Sequence, residues 1–310
     1  MDRTPILERV HLRSASVASA ALDEGPPSED PSRRARLLLL CAAALWSLAG
    51  VFIKFLPLPP LTIVFYRSLF AGLFFLLFVR RSAAVPRGAL AIAMASYTAA
   101  ISAFVAANKL TTAANAIVLQ YTAPIFVFLI VAGLFRERIA GATWAALALG
   151  MSGIAVIFAG SRGQPDFAGV MVALLSGVLF SIYMVSLRFL KSVPPGTLTC
   201  LNNLACCLLL LPFVARQLSL TGAECLIIAV MGIVQLGVPY WLFSKAVEKI
   251  SVQEASLIVL IEPVLNPLWV ALMVREIPSA ATFVGGALIV VGLAARYGWA
   301  AHARRSETER

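Results

Sequence analysis

From Arg36 onward the chain is a succession of apolar runs of about 20 residues, separated by short polar, proline- or glycine-bearing breaks. At about 1.5 Å of rise per residue, a helix of that length crosses a hydrocarbon layer about 30 Å thick. The runs predict ten helices, at about 36–56, 60–79, 88–108, 113–135, 140–159, 167–190, 196–214, 222–243, 252–274 and 279–298. The breaks between them carry turn chemistry: LPLPP, VPRG, GSRGQP, SVPPG, LTG and IPS. A transmembrane barrel would show segments of about ten residues with strict in-out alternation, and this chain has none. Residues 1–32 are polar, rich in Pro, Ser and Ala, and carry charges of both signs. With no apolar stretch after the first basic residues, they read as a disordered tail and not as a signal peptide. Residues 299–310 read as a second, short polar tail.

Composition agrees with this pattern. Hydrophobic residues make up 60% of the chain and charged residues 13%, against about 45–50% and about 25% in soluble domains. The expected fold class is therefore an all-α integral membrane protein embedded in a lipid bilayer. The net charge of +10 changes the picture only through its distribution. Basic residues sit singly or in twos and threes at helix ends, with no basic stripe interleaved with aromatics, so a nucleic-acid partner is not expected. Even-numbered loops and the two ends carry fifteen of them: Arg33, Arg34, Arg36, Arg80, Arg81, Arg87, Arg136, Arg138, Arg188, Lys191, Lys245, Lys249, Arg296, Arg304 and Arg305. Odd-numbered loops carry five: Lys54, Lys109, Arg162, Arg216 and Arg275. The bias places both termini in the cytoplasm of a cell (plasma or inner) membrane.

Metal and cofactor chemistry find little footing. Cys41, Cys200, Cys206, Cys207 and Cys225 all fall in or beside apolar runs without a CxxC spacing, and His11 and His302 lie in the polar tails. No cofactor and no metal site is expected. Neither GxSxG, HExxH nor a paired-carboxylate motif occurs, and no loop is long enough for a catalytic domain, so the chain is not expected to be an enzyme.

The chain repeats itself. Pro124 and Pro263 are 263 − 124 = 139 residues apart, and the same offset pairs Ala116 with Ala255, Arg136 with Arg275, Glu137 with Glu276, Thr143 with Thr282 and Gly153 with Gly292. LWSLAGVFIKFL (45–56) lies over LFSIYMVSLRFL (179–190) at a slightly different offset. Two five-helix units result, 36–159 and 167–296. Because five is odd, the second unit enters the membrane from the opposite side, which predicts ten transmembrane helices as two inverted five-helix repeats. Residues 106–139 and 244–277, with their Ala-rich approach, mid-helix proline and closing Arg-Glu, resemble the EamA family of the drug/metabolite transporter superfamily. LWSLAGVFIKFL with Trp46 is similar to that family's first helix. The resemblance implies a secondary transporter that exports amino acids, metabolites or drugs; nucleotide-sugar exchange belongs to a branch with the same plan. A lipid-handling protein or a sensor on the same fold remains the reading from another class.

Ionisable groups far from a helix end are costly in a membrane and count as candidates for function. Glu262 lies about ten residues into helix nine, roughly 15 Å deep, and Arg67 about seven residues into helix two, roughly 10 Å deep. Glu262 is read either as a proton-titrating or ammonium-binding carboxylate, or as a protonated acid bonded to a neighbouring helix. Arg67 is read either as a snorkelling side chain or as a contact for an anionic group of the substrate. Trp46, Tyr97, Gln120, Tyr121, Tyr183, Asn203, Gln235, Tyr240 and Asn266, with Asn202 and Trp241, lie at similar depth and are cavity candidates. Pro124 takes the helical donor from the Gln120 carbonyl, Pro263 from Val259 and Pro239 from Gln235. Pro267 weakens helix nine a second time, so Pro124, Pro239, Pro263 and Pro267 are the hinge candidates. Glu262 matches Ala123 at offset 139, so the charge has no counterpart in the first unit. Arg136–Glu137–Arg138 and Arg275–Glu276 are read as interfacial anchors with local ion pairing, a gate-locking pair being the alternative. The partners expected are a small-molecule substrate and protons; the oligomeric state is not legible.

Overall fold

A computed structural model describes residues 31–81, 85–136 and 141–308. Side chains are described in these segments except at residues 31, 141, 142, 252, 253 and 300–308. The expected N-terminal tail thus lies outside the described residues, save Pro31 and Ser32, as do Glu137, Arg138 and Ile139. The elements are α1 (Pro31–Trp46), α2 (Ala49–Phe55), α3 (Pro60–Leu76), α4 (Arg87–Leu110), α5 (Ala113–Gln120), α6 (Ala123–Phe135) and α7 (Gly141–Ser161). They continue as α8 (Phe167–Ser186), α9 (Pro195–Val214), α10 (Gly222–Val230), a π-helix (Met231–Gly237), α11 (Val238–Ala246), α12 (Val252–Val259), α13 (Glu262–Val274) and α14 (Ala280–Thr308). Among the described residues, 9 helical stretches are long and apolar enough to span a membrane. The second predicted helix is shorter, 17 residues in α3, and stops at Leu76 rather than 79. The last helix runs on through Thr308, so the second tail is helical as far as it is described.

Four of the runs read as single α-helices depart from one, three by a break and one by a π-turn within a continuous helix. The first breaks at Ser47–Leu48, the fourth at Tyr121–Thr122 and the ninth at Leu260–Ile261, while the eighth widens into the π-turn. Pro239 stands just past the π-turn in a helix that runs on from Gly222 to Ala246, whereas Pro124 and Pro263 do not kink a continuous helix: each sits in the first turn of the half-helix after the break. There a missing N–H costs nothing, because the first four donors of a helix lack intrahelical partners in any case. The first run breaks without a proline: Ser47 Oγ donates to the Ala44 carbonyl at 2.7 Å, and Asn266 Nδ2 donates to the Ser47 carbonyl at 2.9 Å.

The duplication is visible in backbone detail. Shifting α5 and α6 by 139 residues reproduces the bounds of α12 and α13 at every end: 113 to 252, 120 to 259, 123 to 262 and 135 to 274. Thr112 and Ser251 cap the paired helices in the same way, each accepting from the backbone N–H three residues on. Arg136 (φ 53°) and Arg275 (φ 60°), matched at the same offset, are the non-glycine residues with positive φ among the described residues. Matched helices pack against each other in opposite directions. Gly160 meets Ala281, Gly153 meets Gly285 and Gly292 meets Ala146, so α7 and α14 run antiparallel. Ala113 meets Glu276 while Tyr121 meets Glu262, which does the same for α5–α6 and α12–α13. At the α7–α14 contact a Cβ on Gly153 would lie 2.5 Å from the Gly285 carbonyl oxygen, and one on Gly285 2.5 Å from that of Gly153. Only glycine permits that approach.

Candidate functional site

The breaks of the first, fourth and ninth runs and the π-turn surround one cavity of about 320 Å³. Seven of the sequence-derived candidates line it: Trp46, Arg67, Gln120, Tyr121, Gln235, Tyr240 and Glu262, together with Pro124. Half-helices α6 and α13 begin at its wall, with Ala123 and Glu262 as their first residues. The positive ends of their helix dipoles therefore favour negative charge at the centre.

Glu262 is the first residue of α13. Its partner comes from the other unit. Tyr121 Oη donates to Glu262 Oε2 at 2.7 Å and lies 3.2 Å from the Val259 carbonyl, the acceptor released by Pro263. One hydroxyl proton thus has two acceptors. With Glu262 ionised the carboxylate takes it; with Glu262 protonated, the acid can donate to Tyr121 and Tyr121 to Val259.

Arg67 stands on α3, and its side chain does not snorkel: the residue is 2% exposed, and its Nε and Nη2 have no hydrogen-bond partner among the described residues. It lines the cavity within electrostatic reach of the Tyr97 and Tyr240 hydroxyls. Tyr240 is within reach of Glu262 as well, yet no ion pair joins Arg67 to Glu262 among the described residues. Trp46 Nε1 and Gln235 Oε1 are also buried without partners. Gln235 is held by its other end, Nε2 donating to the Trp46 carbonyl freed at the first break (3.0 Å). Trp46 packs on Tyr240 and Phe243, ring centroids 5.1 and 5.7 Å away.

Four candidates stand away from the cavity wall. Tyr97, Tyr183 and Asn203, with Asn202, form a polar cluster behind Arg67: Tyr97 meets Asn203 at 3.4 Å, and Asn202 Nδ2 donates to Tyr183 at 2.9 Å. Asn266 is fully buried and fastens the first break to α13. Pro263 and Pro267 line a separate apolar cleft of about 570 Å³, Pro239 is buried and lines neither space, and Trp241 is 38% exposed on the outside. The sequence reading missed the aromatic and aliphatic wall. Phe104, Phe180, Phe243 and Tyr297 line the cavity, but an apolar residue in an apolar helix carries no mark of which way it faces.

The two ends of the bundle differ. At one end Arg36 pairs with Glu254 at 2.6 Å, with Arg36 46% exposed. At the other, the left-handed Arg275 ends α13 and turns Glu276 back across three elements. Glu276 Oε2 meets Lys54 Nζ at 2.6 Å, and Oε1 accepts from the Ala113 N–H of α5 at 2.7 Å. Lys54 also donates to the Thr111 carbonyl at 2.9 Å, and Thr111 Oγ1 to Asp166 at 2.7 Å. Arg275–Glu276 is thus no local anchor: its carboxylate ties the first, fourth and ninth runs together.

The EamA-like transporter family model matches residues 33–159 and again residues 167–296. An uncharacterized transporter of Archaeoglobus fulgidus is 28% identical over 257 residues, covering 82% of this chain and 93% of the relative. The uncharacterized transporter YwfM of Bacillus subtilis is 25% identical over 272 residues, covering 83% and 91%. The aromatic amino acid exporter YddG of Ancylobacter novellus is 27% identical over 198 residues, covering 62% and 69%. A protein crystal structure shares the fold at a TM-score of 0.61 and 23% identity, covering 84% of this chain and 96% of that one.

Proposed function

The chain belongs to the EamA-like transporter family, and from that premise we propose that it is a secondary transporter carrying a small amphipathic metabolite by alternating access. The observation that carries the reading is one cavity walled by four helix interruptions, two of which, in the fourth and ninth runs, recur at the offset of 139 in the two units. Broken helices are tolerated at membrane depth where their freed carbonyls face protein or a water-filled space. Here side chains from other helices meet them: Gln235 at Trp46, Asn266 at Ser47 and Tyr121 at Val259.

We read the fold as ten transmembrane helices in two inverted repeats, 36–159 and 167–296. The antiparallel packing of matched helices supports this. Two inverted halves can exchange conformations, opening one face and then the other. The end held by Lys54 and Glu276 is then the outer side, and the cavity reaches toward the cytoplasmic end along Phe243, Ser256 and Tyr297. Export of an amino-acid-like solute is the direction we favour, in keeping with the exporter among the relatives. Proton coupling falls to Glu262, whose protonation would turn the Tyr121 hydroxyl from the carboxylate to the Val259 carbonyl and so link its charge to the two central breaks. Nucleotide-sugar exchange fits less well, because Arg67 is the one cation lining the cavity among the described residues. A sensor on this fold would depend on residues 1–32, whose deletion should leave transport intact.

The test is uptake into proteoliposomes of small labelled metabolites with and without a pH gradient. In Glu262→Gln, whatever transport remains should no longer depend on the pH gradient. Unchanged gradient dependence in that variant would rule out the coupling role.

A further inference from the structure

We propose that Arg67 is a carboxylate subsite at one end of the cavity and Glu262 the cation-facing end, so that the cavity selects a zwitterion with an apolar body. This rests on the transporter reading and names the chemistry of its cargo.

Two ionisable side chains of opposite sign line the same buried cavity without pairing. An unpaired guanidinium at membrane depth is expensive, and the protein has not neutralised it: Nε and Nη2 of Arg67 lack partners among the described residues, although the residue is 2% exposed. A planar guanidinium offers parallel donors that match a carboxylate bidentately. The nearby tyrosines do not supply the counter-charge: Tyr97 donates to Asn203, and a neutral hydroxyl cannot balance a guanidinium. Trp46 Nε1 adds a third unused donor in a residue lining the same cavity, and the starts of α6 and α13 add the positive ends of their dipoles. A group with two acceptor oxygens and one negative charge completes this set.

At the other end the demand is reversed. Glu262 Oε2 accepts from Tyr121, and Tyr121 has Val259 as its alternative acceptor. An ammonium arriving at Glu262 can therefore take over the carboxylate while Tyr121 turns to the carbonyl. Tyr240 lines the same cavity, within electrostatic reach of both charges. Phe104, Phe180 and Phe243 supply the apolar remainder of the wall. A ligand bearing both charges would satisfy both ends at once; a purely cationic one would leave Arg67 unpaired beside it.

Three probes of nearly one shape separate these demands: L-phenylalanine, 3-phenylpropanoate and 2-phenylethylamine. Binding to the purified protein is measured by ligand-induced thermal stabilisation and by calorimetry. The zwitterion is expected to bind best, loss of the amine to weaken binding severalfold, and loss of the carboxylate to weaken it at least tenfold. Arg67→Gln should erase the advantage of the two carboxylate-bearing probes, and Arg67→Lys should restore part of it. The subsite is overturned if the amine binds as well as the zwitterion, if no probe binds, or if Arg67→Gln, folded by size-exclusion and circular dichroism, keeps the affinities within twofold. Should that variant not fold, the ranking of probes on the unaltered protein decides alone. Transport of 2-phenylethylamine at the rate of L-phenylalanine would remove the subsite and leave the carrier reading standing. Absence of carrier-mediated transport for every solute tested would remove the carrier reading itself.

Discussion

Replacing Glu276 with Gln should loosen one end of the bundle by a calculable amount. Glu276 holds Lys54 at 2.6 Å through one oxygen and the Ala113 N–H at 2.7 Å through the other. The amide keeps one acceptor and loses the charge. A fully exposed ion pair is worth about 0–1 kcal/mol, and a charge-assisted hydrogen bond about 1.5–3 kcal/mol. With side chains 16% and 22% exposed, the Lys54–Glu276 pair lies between these limits, at about 1–2 kcal/mol. At about 1.4 kcal/mol per tenfold, the population open at this end should rise about 5- to 30-fold. A cysteine replacing the cavity-lining Phe104, with the five native cysteines changed to alanine, reports that population. Its labelling by a membrane-impermeant thiol reagent is timed in right-side-out and inverted vesicles. Glu276→Gln should speed labelling from the Lys54 side by that factor, and Lys54→Met should do the same. The double exchange Lys54→Glu with Glu276→Lys should recover only part, since a lysine cannot accept the Ala113 N–H. A change below twofold in folded protein would show that the pair does not hold this end closed.

Tyr121→Phe removes the hydroxyl serving both Glu262 and the Val259 carbonyl, and leaving these acceptors unmet should cost about 1–3 kcal/mol. The check is a lowered melting temperature in detergent. Gly153→Ala should also destabilise by about 1–3 kcal/mol, because its methyl would meet the Gly285 carbonyl oxygen at 2.5 Å; unaltered thermal stability would contradict the close packing of α7 on α14. Arg275→Val should be worse than Arg275→Gly in expression and stability, since the left-handed φ of 60° favours glycine and penalises a β-branched side chain.

Much of the architecture was legible because its signals are local. Apolar runs of spanning length marked most helices to within a few residues, and the offset of 139 anticipated matching bounds for α5–α6 and α12–α13. Proline was a fair marker of the breaks but was read as a kink within a helix, whereas Pro124 and Pro263 begin the second half-helix. The break at Ser47 carried no such mark, because it is held by Asn266, 219 residues away. Seven candidates of unusual polarity for their depth meet in the cavity, while Tyr97, Tyr183, Asn203 and Asn266 are equally polar but bond to neighbouring helices instead. In a bundle that is apolar on every face, periodicity does not say which way a side chain points. The Glu276–Lys54 pair was hidden for a different reason: its partners are 222 residues apart and join only through the left-handed turn at Arg275.

The central claim is that this cavity is exposed to the two sides of a membrane in turn, and counterflow tests it most directly. Proteoliposomes are loaded with unlabelled L-phenylalanine and diluted into a trace of the labelled solute. A carrier with alternating access predicts a transient accumulation of label above equilibrium that saturates with solute concentration and is missing from empty liposomes. Label that only equilibrates, or enters without saturation, would contradict the account.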